Sequence, residues 1–232
     1  MLFSEGSEIF SYRKIAHNRV TSEQLSQCSI LFSKQYGIWG RQGPRPGLPV
    51  TMKATALRKT FLNDDGAFLV VAVDEESDTL AGHAFARRFS VPSLGGNVLW
   101  ITQLVVNAVY RNRGVGTHLI SNALDHRDFC AGLVTSHPYA VRALERACRK
   151  TVSADFAAAY GQDIIEASGV GYLEGRSINL LDGCCKIDTG FHVNHIEVNA
   201  IIAELNRQPA SGWCLGTIND GEEFVAAVDL RT

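Results

Sequence analysis

Apolar residues in several segments of the chain recur with the period of a helix. In the first segment they are spaced three or four residues apart between Leu25 and Phe32, so they fall on one side of a helix. Thr21 precedes this segment and Gln24 lies three residues further on, which is the pattern of a helix N-cap. Further helices are predicted over residues 52–62, 115–124, 139–148 and 153–167.

Other segments have the length and composition of β-strands. Residues 98–106 are almost continuously apolar, as expected of a central strand covered on both faces. The acidic residues 74–79 connect two strands and are expected to be solvated. The step from Asp220 to Gly221 predicts a C-terminal antiparallel hairpin. The predicted strands are residues 9–15, 67–73, 80–89, 98–106, 131–136, 213–218 and 223–230.

Length and composition predict one domain over residues 1–232, with a core at roughly 9–150 and a helix and hairpin in 151–232. Of the 232 residues 46% are apolar, and the 6 prolines mark no linker. The formal charge of −2 offers no basic footprint for nucleic acid and no polybasic membrane patch. No apolar run approaches the ~20 residues of a membrane span, and residues 1–8 lack a signal-peptide pattern. We therefore expect a soluble, cytoplasmic protein whose 6 cysteines, none in Cys-x-x-Cys spacing, are free thiols.

The junction between the predicted central strand and the next helix reads Arg-Asn-Arg-Gly-Val-Gly-Thr over residues 111–117. A loop that enters a helix leaves backbone N–H groups unpaired at the positive end of the helix dipole, where they bind anions. Gly114 and Gly116 lack Cβ atoms and let phosphate oxygens approach the backbone, while Arg111 and Arg113 add positive charge. The predicted pyrophosphate site comprises Arg111, Asn112, Arg113, Gly114, Val115, Gly116 and Thr117.

Two other nucleotide-binding loops do not match this junction. A P-loop requires Gly-Lys-Ser/Thr, but Gly116 is followed by Thr117 and His118, which argues against a nucleoside triphosphate. The dinucleotide fingerprint requires a third glycine where Leu119 stands, and no acidic residue follows at the distance of about twenty positions that ribose binding needs. NAD is therefore not expected either.

The remaining pattern, Arg-x-x-Gly-x-Gly after a strand, resembles the acyl-coenzyme A pyrophosphate motif of the GNAT acyltransferase superfamily. The lead-in over residues 104–111 and the following order of helix, strand and helix also resemble that family, most closely over residues 99–148. The resemblance implies an α/β (α+β) GNAT fold: a mixed, mostly antiparallel, twisted sheet flanked by helices, with a splayed parallel strand pair at the acyl-CoA site and a C-terminal antiparallel hairpin. It also implies an N-acetyltransferase that moves an acetyl group directly from acetyl-CoA to an amine of a small molecule or protein.

The resemblance further implies where the two substrates bind. Unpaired amides at the end of the first splayed strand hold the pantetheine arm and face the thioester in that family. The segment between the first two helices overhangs the acceptor, and here it contains Tyr36, Trp39 and the proline-rich residues 41–49, a composition that suits a pocket wall. The cofactor contacts on the strand are expected at Leu104, Val105 and Val106.

Acetyl transfer in that family releases coenzyme A as a thiolate, and the group that protonates this thiolate is less obvious in the sequence. Many family members carry a tyrosine on the second helix of the motif, and Leu144 aligns with it in this sequence. We expect Tyr139, about one helical turn earlier, to donate the proton. Ser136, His137 and solvent are the alternatives.

His83 is the candidate general base, because imidazole titrates near neutral pH. Glu222 and Glu223 follow the predicted terminal turn, and the sequence leaves their role open. A metal site at His192-x-x-His195 is not expected, since residues three apart in a strand point to opposite faces and no further ligands accompany them.

Two classes of function remain open at this point. One is an acyl-CoA-dependent N-acyltransferase whose partners are an acyl-CoA and an amine acceptor, with neither nucleic acid nor membrane involved. The other is a non-catalytic acyl-CoA-binding module that acts as a sensor or scaffold, which the missing helix tyrosine favours. The assembly state is open as well, with a homodimer as one alternative.

Overall fold

The computed structural model of the protein describes residues 10–181 and 184–231. The strands are β1 Phe10–Ala16, β2 Ala67–Asp74, β3 Thr79–Val91, β4 Gly96–Val106, β5 Asp128–Thr135, β6 Ile178–Leu181, β7 Cys184–Asp188 and β8 Glu222–Asp229. The helices are α1 Ser22–Gln35, α2 Ala54–Phe61, α3 Val115–Ala123, α4 Pro138–Cys148, α5 Ala154–Ala167 and α6 Ile196–Arg207. The strands form one sheet in the order β1-β2-β3-β4-β5-β8-β7-β6. Only β4 and β5 pair in parallel among these described strands, so the predicted mixed, mostly antiparallel sheet is confirmed.

Helices cover both faces of the sheet because its central strands are apolar on both sides. Helices α3 and α4 pack on one face, around Leu99 and Ile101 of β4. Helices α1, α2 and α5 pack on the other face, around Phe85 of β3 and Trp100 of β4. The residues from Val98 to Ile101 are at most 2% exposed, which confirms the prediction of a central strand there.

The helix starts follow local capping signals in the sequence. The Thr21 hydroxyl accepts the Gln24 N–H, and the Gln24 side chain accepts the Thr21 N–H, as the capping-box pattern predicts. Ser153 caps α5 in the same way, by accepting the N–H of Phe156. Among the described residues, no helix is both long and apolar enough to cross a membrane.

The acidic connection after β2 is not wholly solvated, contrary to the expectation for residues 74–79. Asp74 is 7% exposed, and its carboxylate accepts hydrogen bonds from the Tyr110 hydroxyl at 2.7 Å and the Ser77 hydroxyl at 2.9 Å. These two hydrogen bonds hold the pKa of Asp74 below its usual value. The carboxylate thus fastens the β2–β3 turn to the loop that precedes α3.

The C-terminal antiparallel pair consists of β7 and β8, and the predicted strand over residues 213–218 is wrong. Strand β8 has neighbours on both edges, β5 and β7, so it offers no free edge to residues 213–218. Leu215 and Ile218 from that segment are instead buried in the core. The chain between α5 and β8, which has no clear period in the sequence, forms β6, β7 and α6.

An ion pair joins β3 to the start of β5 and to the end of α3. The Arg88 guanidinium donates two hydrogen bonds to Asp128, at 2.6 and 2.9 Å, and a third to the carbonyl of Ala123. The Asp128 side chain is fully buried. Because a buried carboxylate without its partner is costly, this contact holds the closely paired ends of β4 and β5 in register.

We expect Arg88→Ala to lower the free energy of unfolding by about 3–5 kcal/mol, because it leaves the Asp128 carboxylate buried and unpaired. Chemical denaturation at pH 7 measures the change. Arg127→Ala is the matched control, since Arg127 is largely exposed and pairs with Asp125 at the surface, where ion pairs contribute little. Equal denaturation midpoints for the two variants would contradict the structural role of Arg88.

Candidate functional site

Strands β4 and β5 pair over only the first part of their length. Their parallel pairing ends at Ile101 and Leu133. On the other edge of β4, Ile101 and Gln103 pair with consecutive residues of β3, so Thr102 is an extra residue and forms a β-bulge. A bulge bends its strand, while β5 continues alongside β8. The two strands therefore diverge, and the space between them beyond Ile101 is called the β4–β5 gap below.

Backbone amides of β4 face this gap. The N–H of Asn107 donates to the carbonyl of Ala81 in β3. Successive residues of a strand point their N–H groups to opposite edges, so the amide of Val105 also faces β3. The amides of Leu104 and Val106 face the β4–β5 gap. Of the three strand positions expected to contact the cofactor, Leu104 and Val106 thus present N–H donors to the gap, and Val105 does not.

The loop before α3 has the backbone geometry of an anion site. Asn112 and Gly114 adopt left-handed conformations, with φ of 63° and 79°, and such turns direct successive N–H groups to one side. The first hydrogen bond of α3 runs from the His118 N–H to the Gly114 carbonyl. The amides of residues 115–117 precede it and lie at the positive end of the helix. A pyrophosphate fits these donors.

Arg111 fastens this loop to its surroundings. Its side chain donates to the carbonyl of Val106 at 3.4 Å and to the carbonyl of Gln35, at the end of α1, at 3.0 Å. The side chain of Gln35 in turn accepts the N–H of Ala108. The charge of Arg111 is therefore held at the open end of the β4–β5 gap, and Arg113 is exposed on the same loop.

Aromatic side chains form a wall on the α1 side of the gap. The ring of Phe191 contacts Tyr36 at 5.7 Å and Trp39 at 5.1 Å between ring centroids, both edge-on. Trp39 and Phe191 pack against the cluster that contains Val105 of β4. The structure thus brings Tyr36 and Trp39 together beside the gap.

Backbone hydrogen bonds hold this wall in place. The N–H of Gly40 donates to the carbonyl of His192, and the N–H of Asn194 donates to the carbonyl of Ile38. The sequence did not indicate that residues 190–194 take part in the wall, because the contact joins segments far apart in the chain. Phe191, in an irregular stretch, carried no local signal.

Glu223 of β8 is buried at the edge of the gap. The side chain lies against the amide of Ser136, at the end of β5, and the hydroxyl of Thr189, which both lower its pKa, but burial outweighs them and raises the pKa to about 6. Burial first, and the charge of Glu223 second, also raise the pKa values of Tyr36 and Tyr172. The negative charge of Glu223 therefore acts on both phenol groups.

His83 lies inside the sheet layer rather than at a surface. It is fully buried, and its Nε2 is 2.9 Å from Oε1 of Gln103. Its ring lies edge-on to Phe85. Burial lowers the pKa of His83 to about 4, so the imidazole is neutral at pH 7.

Tyr139 lies in the first turn of α4, at the surface. It is 54% exposed, and its N–H donates to Nδ1 of His137 at 3.3 Å. Leu144, which aligns with the family tyrosine, is fully buried in the core. The amide of Ser136 faces Glu223, as described above.

His192 and His195 do not lie in a strand. The assumption that they point to opposite faces of a strand is therefore wrong. His195 immediately precedes α6, and His192 pairs with Asp220 at 3.3 Å. The part of the chain that the structure describes contains no group of three or more His, Cys, Asp or Glu side chains arranged to hold a metal ion.

The arrangement of a bulged β4, a diverging β5 and a glycine-containing loop at the start of α3 agrees with a comparison against protein families. The model of the acetyltransferase (GNAT) family matches residues 32–149, just over half of the chain. The chain belongs to this family. The matched segment ends just after α4, so Tyr172, Phe191 and Glu223 lie outside it.

Solved structures with similarity to the chain are distant from it in sequence. An aminoglycoside acetyltransferase from an uncultured soil metagenomic sample, in complex with sisomicin, has 18% identity and a TM-score of 0.36 over 49% of this chain and 66% of that one. A transcriptional regulator from Bacillus halodurans has 20% identity and a TM-score of 0.44 over 60% of this chain and 91% of that one. The NatC complex bound to Gag peptide and CoA has 19% identity and a TM-score of 0.43 over 59% and 81%. A search of curated protein sequences found no match.

We expect Gly116→Asp to abolish binding of coenzyme A, measured by calorimetric titration, because the carboxylate repels phosphate at the start of α3. Gly116→Ala is the matched control. A Cβ atom at this position would meet Ala143 and Val106 at 3.7 Å, which is ordinary packing distance, so the alanine variant should fold and keep most of its affinity. A folded Gly116→Asp protein with wild-type affinity would refute the pyrophosphate assignment.

Proposed function

We propose that the protein is an N-acetyltransferase that moves an acetyl group from acetyl-CoA to a primary amine held between the β4–β5 gap and the aromatic wall. The observation that carries this proposal is the divergence of β4 and β5 beside the α3 loop, in a chain that belongs to the GNAT family. We also propose that residues 1–232 work as one domain, because β8 from the C-terminal part inserts beside β5 of the family-matched part.

The chain offers donors for each part of acetyl-CoA, which supplies the activated acetyl group as a thioester. The amides of residues 115–117, with Asn112 and Arg113 nearby, bind the pyrophosphate, while Arg111 holds the loop. The amides of Leu104 and Val106 hold the pantetheine arm and stabilise negative charge on the thioester oxygen as the amine attacks.

Glu223 is the general base in this proposal. Its pKa of about 6 keeps it ionised at neutral pH and still basic enough to accept a proton from an ammonium group on its way to attack. His83, with a pKa of about 4 and its Nε2 next to Gln103, is a weaker base and lies within the sheet layer. We therefore prefer Glu223, and His83 serves to support the bulged part of β4.

Tyr36, Trp39 and Phe191 form the acceptor side of the site in this proposal. Their rings supply apolar area and a face that attracts an ammonium cation. The carboxylate of Glu223 adds a negative charge close to Tyr36. These groups together favour an acceptor that arrives as a cationic amine.

The absence of a tyrosine at position 144 favours a second function, a non-catalytic acyl-CoA-binding module. Release of free thiol when acetyl-CoA meets a panel of amines separates the two functions. An acetyltransferase releases thiol with at least one amine of the panel and yields the acetylated amine by mass spectrometry. Binding of coenzyme A without any amine-dependent thiol release would support the binding module instead.

We expect kcat/KM for the acceptor to rise with pH through a group of pKa about 6, and Glu223→Gln to lose this limb and to lower kcat by ~10²–10⁴-fold. Stability provides a second readout. The folded-state pKa is raised from 4.5 to about 6, so wild-type stability falls as pH rises across this window. Glu223→Gln should therefore gain about 2 kcal/mol relative to wild type between pH 4 and pH 8. A wild-type pH profile in the glutamine variant would exclude Glu223 as the base.

We expect replacement of residues 41–49 by a Gly/Ser linker to raise the KM of the acceptor more than it changes the affinity for coenzyme A, because these residues support the wall at Trp39. Steady-state kinetics with the best amine of the panel, together with titration of coenzyme A, measure both quantities. Replacement of the exposed Glu75 and Glu76 by Ser, which keeps the Asp74 and Ser77 contacts, serves as a loop change distant from the wall. A larger effect on coenzyme A than on the acceptor would remove residues 41–49 from the acceptor site.

A further inference from the structure

Cleavage of a thioester leaves negative charge on sulfur, and a nearby proton donor lowers the energy of that charge. Helix α4 offers no hydroxyl from its buried side, where Leu144 lies in the core. Tyr139 is at the surface end of the same helix and is 54% exposed. Another hydroxyl contacts β4 directly beyond the end of its pairing with β5.

The hydroxyl of Tyr172 lies at the β-bulge. It donates to the carbonyl of Thr102 at 3.3 Å, and Thr102 is the first residue of β4 beyond the pairing with β5. The half-buried ring packs against clusters on the face of the sheet that carries α1, α2 and α5. The hydroxyl therefore lies at the closed end of the β4–β5 gap.

The segment around Tyr172 is firmly held. Val170 and Leu173 on either side are buried, at 3% and 0% exposure. The guanidinium of Arg176 donates through Nε to the carbonyl of Tyr172 at 2.8 Å. A side chain with these anchors has one position available, which is what a proton donor needs.

Groups from both diverging strands meet at this point. Tyr172 is attached to the β4 side through Thr102, and Glu223 lies on the β5 side against the amide of Ser136. The Thr102 hydroxyl is buried, with no hydrogen-bond partner among the described residues. A buried polar atom without a partner is unusual in a folded protein, and here it adds a polar contact for a bound molecule.

We propose that Tyr172 is the catalytic acid that protonates the departing sulfur, in place of the family tyrosine whose position Leu144 occupies. This inference rests on the proposed acetyltransferase function. It assigns a catalytic role to a residue outside the segment that matches the family.

The step conserves atoms and charge. The amine nitrogen forms a bond to the acyl carbon, the carbon–sulfur bond breaks, and its electron pair stays on sulfur. An ammonium acceptor gives up two protons in becoming an amide: Glu223 takes the first before the attack and passes it to solvent, and it takes the second as the proton of the Tyr172 hydroxyl passes to sulfur. Transfer of this second proton from Glu223 to the phenolate restores both residues, and the products are an amide and a thiol.

The two residues act in an order set by their charges. Burial first, and the ionised Glu223 carboxylate second, keep the pKa of Tyr172 well above its usual value, so the hydroxyl holds its proton while substrates bind. Once Glu223 has accepted the proton of the amine, its negative charge is gone and the repulsion against a phenolate disappears. Removal of the amine proton therefore makes Tyr172 a stronger acid at the moment when sulfur needs a proton.

The test compares Tyr172→Phe with Tyr139→Phe, using acetyl-CoA and p-nitrothiophenyl acetate as acetyl donors to the same amine. The second donor releases a thiolate that is stable without a proton. We expect Tyr172→Phe to lower kcat with acetyl-CoA by ~10²–10⁴-fold, to leave the affinity for coenzyme A unchanged, and to slow the aryl thioester by only a few-fold. Tyr139→Phe should stay within a few-fold of wild type with both donors.

The other outcomes overturn the assignment in distinct ways. Equal losses with both donors would show that Tyr172 only maintains the bulge or the fold. Near-wild-type kcat for Tyr172→Phe, or a large loss confined to Tyr139→Phe, would transfer the role to Tyr139, to another group or to water. A wild-type protein that acetylates no amine would refute the proposed function itself, and this inference with it.

Discussion

The divergence of β4 from β5 is the constraint on which the site depends. Parallel strands normally continue side by side, because each unpaired N–H and C=O group inside a protein has an energetic cost. Here the bulge at Thr102 turns β4 away, and pairing with β8 holds β5 in place. The Arg88–Asp128 ion pair fixes the other ends of the same strands. The amides of Leu104 and Val106 consequently have no partner strand on that edge and are available to a bound molecule.

Groups of opposite charge border the β4–β5 gap. At the open end, the amides at the start of α3 and the guanidinium of Arg111 create a positive region. On the other side of the gap, the buried carboxyl group of Glu223 has a raised pKa, and its charge acts on the phenol groups of Tyr36 and Tyr172. A buried carboxylate lowers stability at neutral pH, and protein sites commonly retain such a group where its proton affinity serves chemistry. The opposite signs suit an anionic cofactor entering from one side and a cationic amine from the other.

The part of the chain outside the family match completes the site. Tyr172, Phe191 and Glu223 all come from residues after α4. Insertion of β8 beside β5 brings Glu223 to the gap, and the irregular segment before α6 brings Phe191 against Trp39. The residues that would select the acceptor and move protons therefore belong largely to the C-terminal third, where the sequence shows no recognisable motif.

The sequence by itself determined the elements whose signals are local. The capping residues of α1, the apolar run of β4 and the glycines before α3 act through neighbours in the chain, so their patterns identify the structure directly. The α3 loop of the candidate site was found for the same reason. The strand predicted over residues 213–218 was wrong. The apolar side chains of this segment reflect burial, and the sequence does not reveal that both edges of β8 are already paired.

Only the tertiary structure decided which distant groups meet. Contact between Tyr172 and Thr102, or between Phe191 and Trp39, depends on the order of strands in the sheet and leaves no periodic trace in either segment. The proton affinity of Glu223 likewise depends on burial by residues far away in the chain. Local pattern thus determined the glycine-containing loop before α3, while long-range packing decided the aromatic wall and the surroundings of Tyr172 and Glu223, because desolvation and contact are properties of the folded whole.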